Sequence, residues 1–416
     1  MLFSTPVLAY PPAGGPPLRI ANSIKALSRV ADVYLHSRAP LSGRGMRFFA
    51  RYCAEIRLVP SVRPLEHFVR RAVNAFSRRL LARALARPDE AADCRDLIDF
   101  GDGVSPDVVW LGYGNISYPL LRRFKERNRR IPVVLDTDSV WSRFIGRQIP
   151  FVADERQRRL ILESSEEKEA EERWGTALAD VTTAVSEVDA RYYEGLAGSP
   201  GKVLLFSNCI DMDDYADVPA APPGLRTPAM CLAGTFWPGS PMDDAARWVI
   251  GQVLPLVKRR VPRAHLYVVG RGSDRVLANI RDPAVTVVGA VGSVLPYLCH
   301  AGVALVPLRF ESGTRFKILE AGACGVPVVS TILGAEGLPV EHGESVLLAD
   351  TPGAFAEAIA TVVSDRSLAE RLGGHLRQLV RERFGLETLA AQASVVLRRC
   401  GALKRPVGAG DSAASA

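Results

Sequence analysis

One pattern constrains this chain more than any other: short apolar runs alternate with helical stretches, stop at a proline-rich break, and then start again. Residues 7–10, 33–35, 56–59, 108–111, 132–136, 180–186 and 202–208 read as strands, with helical patterns such as 18–29 between them. Strands separated by helices imply βαβ units and a parallel, doubly wound sheet. The segment 211–228 breaks the rhythm, with Pro219, Pro222, Pro223 and Gly224 close together, which is turn-forming chemistry suited to a connector. Strands then return at 229–234, 265–270, 285–289, 303–307 and 327–331, with a helix at 243–257 and helical sequence from 352 to 399. Three of these later strands end on glycine, at the carboxyl edge of the sheet where open α/β sheets bind ligands. The expected organisation is a domain over 1–208, a linker over 209–228, a second domain over 229–385, a helix over 386–403 returning to the first domain, and a disordered tail over 404–416.

Other features narrow the class. The seven cysteines are scattered singly, with no C-x-x-C spacing to signal a zinc site or a redox dithiol, which fits a reducing compartment. The apolar N-terminus lacks a basic lead and runs straight into Pro11-Pro12-Ala13-Gly14-Gly15, so it reads as a strand and loop and not as a signal peptide. No apolar run approaches the roughly 18 residues of a membrane span. The expected location is cytoplasmic. The net charge of +7 is unevenly spread, with seven arginines against one glutamate between Val62 and Pro88. Leu65, Phe68, Val69, Phe76, Leu80 and Leu81 interleave with them at helical spacing. Two readings stand for this basic helix: an apolar stripe on the N-terminal core, or contact with anionic lipid at the inner face of the cell membrane. Nucleic acid is not expected, because no aromatic-and-basic binding motif accompanies the charge.

The segment 307–331 carries the most chemistry. A strand ends at Pro307, and a loop containing Gly313 opens onto a helix for which Ser312 or Thr314 is the expected cap. Free amides at a helix start attract anions, and Lys317 in the first turn adds a full charge. Glu320, three residues on, shares a face with Lys317 and offers a carboxylate to neighbouring hydroxyls such as those of a ribose. The spacing suits a nucleoside diphosphate. An exposed i, i+3 ion pair on an ordinary helix has the same spacing.

This stretch resembles the donor-site signature of retaining glycosyltransferases of family four, enzymes of bacterial polysaccharide synthesis with the double-Rossmann GT-B architecture. The resemblance rests on Gly313-Thr314-Arg315-Phe316-Lys317-Ile318-Leu319-Glu320-Ala321, on the Pro327-Val328-Val329 strand and on Gly334-Ala335-Glu336-Gly337-Leu338. Gly234-Thr235-Phe236-Trp237-Pro238-Gly239 resembles the loop that approaches the donor phosphates, and Gly289-Ala290-Val291 with Leu295-Pro296-Tyr297-Leu298 the segment near the base. Gly14 and Gly15, followed by Arg19, look like the glycine-rich loop of the N-terminal domain.

The resemblance implies two doubly wound Rossmann-like domains facing across a cleft. It implies transfer of a sugar, with retention at the anomeric carbon, from a nucleotide-sugar to a saccharide or lipid-linked acceptor. Donor-site residues would be Gly14, Gly15, Gly234, Thr235, Gly270, Arg271, Ser312, Gly313, Thr314, Arg315, Lys317 and Glu320. Catalytic roles would fall to Lys317 and Glu320, with Asp136 or Asp138 handling the acceptor or its proton. No metal or cofactor is called for. Two departures stand out: the family's first glutamate would occupy position 312, which is Ser312, and no histidine lies between His67 and His265. These keep two rivals in view, a sugar-nucleotide epimerase of the same architecture and a non-catalytic nucleotide-sugar-binding protein.

Overall fold

The computed structural model describes residues 1–12, 14–59 and 90–403. The basic helix expected over 62–88 and the tail expected over 404–416 lie outside those residues.

Two parallel sheets organise the molecule. The first holds β1 (Leu2–Thr5), β2 (Tyr34–Ser37), β3 (Glu55–Leu58), β4 (Val109–Gly112), β5 (Val133–Asp136), β6 (Val181–Ala184) and β7 (Val203–Leu205) in the order β3-β2-β1-β4-β5-β6-β7. The second holds β8 (Ala229–Ala233), β9 (His265–Val269), β10 (Val285–Gly289), β11 (Val303–Val306), β12 (Val328–Ser330) and β13 (Leu347–Leu348) in the order β10-β9-β8-β11-β12-β13. Each sheet is doubly wound. The chain steps outward one way, returns to the centre and steps outward the other way, which leaves a crevice beyond the carboxyl ends of the two central strands. The central strands are buried on both faces because helices cover both sides: β1 and β4 are wholly buried, and Trp110 stacks edge-on against Phe206 with ring centroids 4.9 Å apart.

Three elements differ from the sequence reading. The first strand is Leu2–Thr5, earlier than the expected 7–10. A central strand needs ladder partners on both sides, and these exist at Leu2, whose amide donates to the Val108 carbonyl at 2.9 Å, and at Met1, whose carbonyl accepts from Tyr34 at 3.0 Å. Thr5 Oγ1 then accepts from the Val7 amide across Pro6 and turns the chain out of the sheet. The helix expected over 243–257 is Pro241–Trp248, a widened turn at Val249–Val253, and Leu254–Arg260. Pro255 has no amide to continue the regular ladder, and the wide turn precedes it. Strand β13 has only two residues, too short to leave a periodicity.

The segment after β7 winds through a short turn, Met212–Tyr215, before β8 begins. The last helix, Leu386–Arg399, buries Leu386, Leu389, Ala390, Ala393, Val396 and Leu397 in the core that also holds Phe3, Ile20 and Trp110. It lies against the first helix, Gly15–Leu27. This helix therefore returns to the body that contains the first strand. Leu389→Ala should destabilise the protein by about 2–5 kcal/mol through the cavity it leaves, measured as the shift in the urea unfolding midpoint.

Candidate active site

The C-terminal half of the cleft is built by tight backbone packing. Gly270 follows β9 at φ +131°, and a Cβ there would run into the Gly234 carbonyl oxygen. Glycine is the only residue that fits. The contact lets the Gly234 amide donate to the Val269 carbonyl at 3.0 Å and the Phe236 amide to the Arg271 carbonyl at 2.8 Å. The loops after β8 and β9 are thereby locked together, with Thr235 half-buried and Arg271 exposed at their rim.

After β11 the chain runs through residues 307–315 into the helix Phe316–Ala323. The structure corrects the expected caps. Arg315 occupies the N-cap position, and no side chain caps the helix. Ser312 Oγ instead accepts from the Val140 amide at 3.1 Å, and Thr314 Oγ1 accepts from Asn208 Nδ2 at 2.6 Å. Both hydroxyls hold the N-terminal domain, and the helix end is left open for an anion. Arg315 also departs from expectation. Its buried guanidinium donates to the carbonyls of Ser312 at 2.8 Å, of Gly313, and of Leu333 at 3.3 Å. It braces its own loop and is not held out for a phosphate.

Lys317 is the contrast. It is half-buried, and its Nζ rests 3.1 Å from the thioether of Met242, with no carboxylate in ion-pair range among the described residues. Burial pulls it down to about 8, with Glu311 opposing and Arg315 reinforcing the shift. It is still a cation at pH 7, and one that no ion pair holds among the described residues. One turn along, Glu320 is held above the usual carboxylate range by burial, partly offset by a hydrogen bond from the Tyr215 hydroxyl at 3.1 Å and by Lys317.

The N-terminal half meets these groups directly. A Cβ at Gly14 would stand 4.0 Å from Thr235 Oγ1, and one at Gly15 would stand 3.6 Å from the Phe316 ring. Gly313, at φ +78°, sits where a side chain would press on the Asp138 carbonyl and Ser139. Arg147 clasps both oxygens of Glu336 at 2.6 and 2.8 Å and the Glu311 carbonyl at 2.6 Å. Phe151 stacks on Phe310 with centroids 5.2 Å apart. The two halves are closed on one another.

The paired aspartates after β5 have different fates. Asp136 is fully buried, ion-paired with Arg19 at 2.5 Å, and accepts from Thr183 Oγ1 at 2.7 Å. This overturns the expectation of a catalytic Asp136, because its charge is used inside the fold. Asp138 is half-buried, accepts from Trp141 Nε1 at 3.3 Å, and has its amide held by Asn115 Oδ1 at 2.9 Å. Burial pushes its carboxyl up to about 6, opposed by Arg19. Of the two, Asp138 is the one available to handle a proton.

Sequence reasoning missed Asn208, Arg147 and Tyr215. Asn208 lies just beyond β7, Arg147 follows a short helix and Tyr215 sits in the linker. Their partners lie 106, 189 and 105 residues away, so no local spacing marks them.

Comparison with known proteins fits this geometry. Residues 227–365 match the model of the family described as glycosyl transferases group 1. The chain carries a group 1 glycosyl transferase domain. That domain contains β8 to β13 and the helix of Lys317 and Glu320. A GDP-mannose-dependent α-(1-6)-phosphatidylinositol monomannoside mannosyltransferase of Mycobacterium tuberculosis is 27% identical over 242 residues, 53% of this chain and 62% of that one. An N-acetyl-α-D-glucosaminyl L-malate synthase of Bacillus anthracis is 28% identical over 142 residues, 32% of this chain and 37% of that one. The alignments thus span less than two thirds of these relatives. Among solved structures, a sucrose-phosphate synthase of Thermosynechococcus elongatus superposes with a TM-score of 0.68 at 18% identity, covering 96% of this chain and 99% of that one. Anabaena HepE, solved with UDP and glucose, gives 0.64 at 13% identity over 95% and 99%. The fold around the group 1 domain is therefore GT-B, with two Rossmann-like domains and the cleft between them.

Arg19→Met, which strands Asp136 without its partner, should cost about 3–5 kcal/mol of stability by denaturant titration.

Proposed function

We propose that this protein is a glycosyltransferase that moves a sugar from a nucleotide-sugar donor to a saccharide or lipid-linked acceptor, with retention of anomeric configuration. The observation that carries this reading is Lys317: a half-buried ammonium with no carboxylate in ion-pair range among the described residues, one turn from Glu320, on the uncapped helix of the group 1 domain. A diphosphate supplies the missing negative charge, and Glu320 takes the ribose hydroxyls. Gly14, Gly15, Gly234, Thr235, Gly270 and Arg271 frame the phosphates, while Ser312, Gly313, Thr314 and Arg315 fix the loop that presents the helix. Relatives named for GDP-mannose and a neighbour solved with UDP and glucose support a nucleotide-sugar donor.

As the bond to the anomeric carbon breaks, charge builds on the leaving diphosphate. Lys317 and the amides of the helix start stabilise that charge where it forms. The acceptor's proton goes to the leaving phosphate or to Asp138, which is ionised at pH 7. Closure through Arg147 and Glu336 excludes water and limits hydrolysis of the donor. An epimerase is disfavoured, because burial of Asp136 in its ion pair leaves one cleft carboxylate in the post-β5 loop where two were expected.

Among the described residues no helix is long and apolar enough to cross a membrane. A lipid-linked acceptor would be met at the membrane surface, for which the arginines of 62–88 supply positive charge. The phosphatidylinositol mannoside in the relative's name supports that acceptor class.

The test is thermal stabilisation by UDP-, GDP-, ADP-, TDP- and CMP-sugars on wild type and Glu320→Ala. A donor at 100 times its dissociation constant should add about 2.7 kcal/mol of stability. One nucleotide class should stabilise the wild type and fail on the variant, and sugar transfer should follow with that class. No stabilisation by any of the five defeats the proposal.

Affinity for the diphosphate should also follow the Lys317 charge. A bound dianion raises the lysine's pKa, so binding takes up a proton once the free group begins to titrate. The Lys317 contribution should be full below pH 8 and fall by up to tenfold per unit above it, and Lys317→Met should abolish that alkaline slope in calorimetric titrations.

A further inference from the structure

The turn between the two sheets reaches into the site. Asp211 caps Met212–Tyr215 by accepting from the Asp213 amide at 3.3 Å. Lys25, on the helix that follows Gly14, donates to Asp211 at 2.7 Å and Asp214 at 3.0 Å, which pins both ends of the turn to the N-terminal domain. The Tyr215 ring is buried in the core of the group 1 domain with Leu319 and Leu308. Its hydroxyl lies 3.1 Å from Glu320 Oε1. Glu320 Oε2 has no hydrogen bond among the described residues.

From this arrangement we infer that Tyr215 is a positioning residue for Glu320: it holds one carboxylate oxygen so that the other is presented to the ribose hydroxyls of a nucleoside diphosphate. The inference rests on the donor-site reading above. A carboxylate on a long side chain loses rotamer freedom when it binds, and a hydrogen bond formed beforehand removes part of that cost. A phenol suits the task. It donates one hydrogen bond to the carboxylate, adds no charge to compete with Lys317, and anchors through an apolar ring.

The hydrogen bond has an electrostatic consequence as well. Tyr215 and Lys317 both favour the ionised carboxylate against burial. The other titratable groups that sense Glu320 are the thiols of Cys231 on β8 and Cys324 at the helix end, both neutral at pH 7 because burial pushes them up. Removing the phenol therefore leaves Lys317 alone to hold the charge, and Glu320 should protonate at higher pH.

The experiment is calorimetric titration of Tyr215→Phe with UDP and GDP, each compared with its 2′,3′-dideoxy counterpart. For whichever of the two the wild type binds, the variant should bind the ribonucleotide about tenfold more weakly and the dideoxynucleotide as the wild type does. The acid limb of ribonucleotide binding should move to higher pH. In a Glu320→Ala background, Tyr215→Phe should have no further effect, since the tyrosine acts through the glutamate. Unchanged ribonucleotide binding, equal loss with both sugars, or additive effects in the double variant would each overturn the inference. A wild type that binds neither UDP nor GDP, nor any other nucleoside diphosphate of the panel, would instead defeat the donor-site reading beneath it. Should Tyr215→Phe fold poorly, Lys25→Met, which frees the turn without touching the ring, should weaken ribonucleotide binding selectively in the same comparison, and equal binding would overturn the inference.

Discussion

The buried ion pair between Arg19 and Asp136 sets the geometry on which the rest of the cleft depends. Neither group touches solvent appreciably, so each needs the other. Arg19 reaches the Thr137 carbonyl at 3.2 Å, the Phe206 carbonyl at 3.1 Å and Asn208 Oδ1 at 2.8 Å. The ends of β5 and β7 are thereby tied to the helix that starts at the glycine loop. Asn208 extends the chain across the cleft to Thr314. One arginine thus fixes where the N-terminal domain meets the loop that leads into Lys317.

That loop separates two cations with opposite uses. Arg315 spends its terminal nitrogens on carbonyls and keeps residues 312–314 in shape. Lys317, two residues later, rests against the Met242 thioether, and burial lowers its pKa while no carboxylate pairs with it among the described residues. A planar five-donor group suits bracing, whereas a point charge on a flexible stem suits meeting a ligand. The same division holds for the carboxylates: Asp136 is bound into the fold, and Asp138, two residues on, is held by its amide and an indole with its carboxyl pushed towards neutrality.

Much of this was legible in the chain itself. The restarted rhythm of strands and helices identified two doubly wound sheets, because apolar runs buried on both faces leave a continuous signature. Lys317 and Glu320 were legible because a helix fixes i, i+3 neighbours on one face. Gly270 was legible as a strand-ending glycine, although the carbonyl that excludes a side chain there was not. Asp136 and Asp138 were indistinguishable in sequence: a two-residue interval after a strand says nothing about which carboxylate turns inward. Ser312 and Thr314 were read as caps because such residues before a helix usually are, and the acceptors they provide went to the other domain.

The sequence by itself therefore determined the periodicities, and through them the fold class and the helix that presents Lys317 and Glu320. Both follow from interactions within a few residues, where backbone geometry fixes distance. Only the tertiary structure decided the partners: Arg19 for Asp136, Asn208 for Thr314, Arg147 for Glu336, and Tyr215 for Glu320. Each pair joins residues more than 100 positions apart. A pairing of that kind is set by how elements pack within one domain or across the cleft between two, and no local spacing in the chain records it.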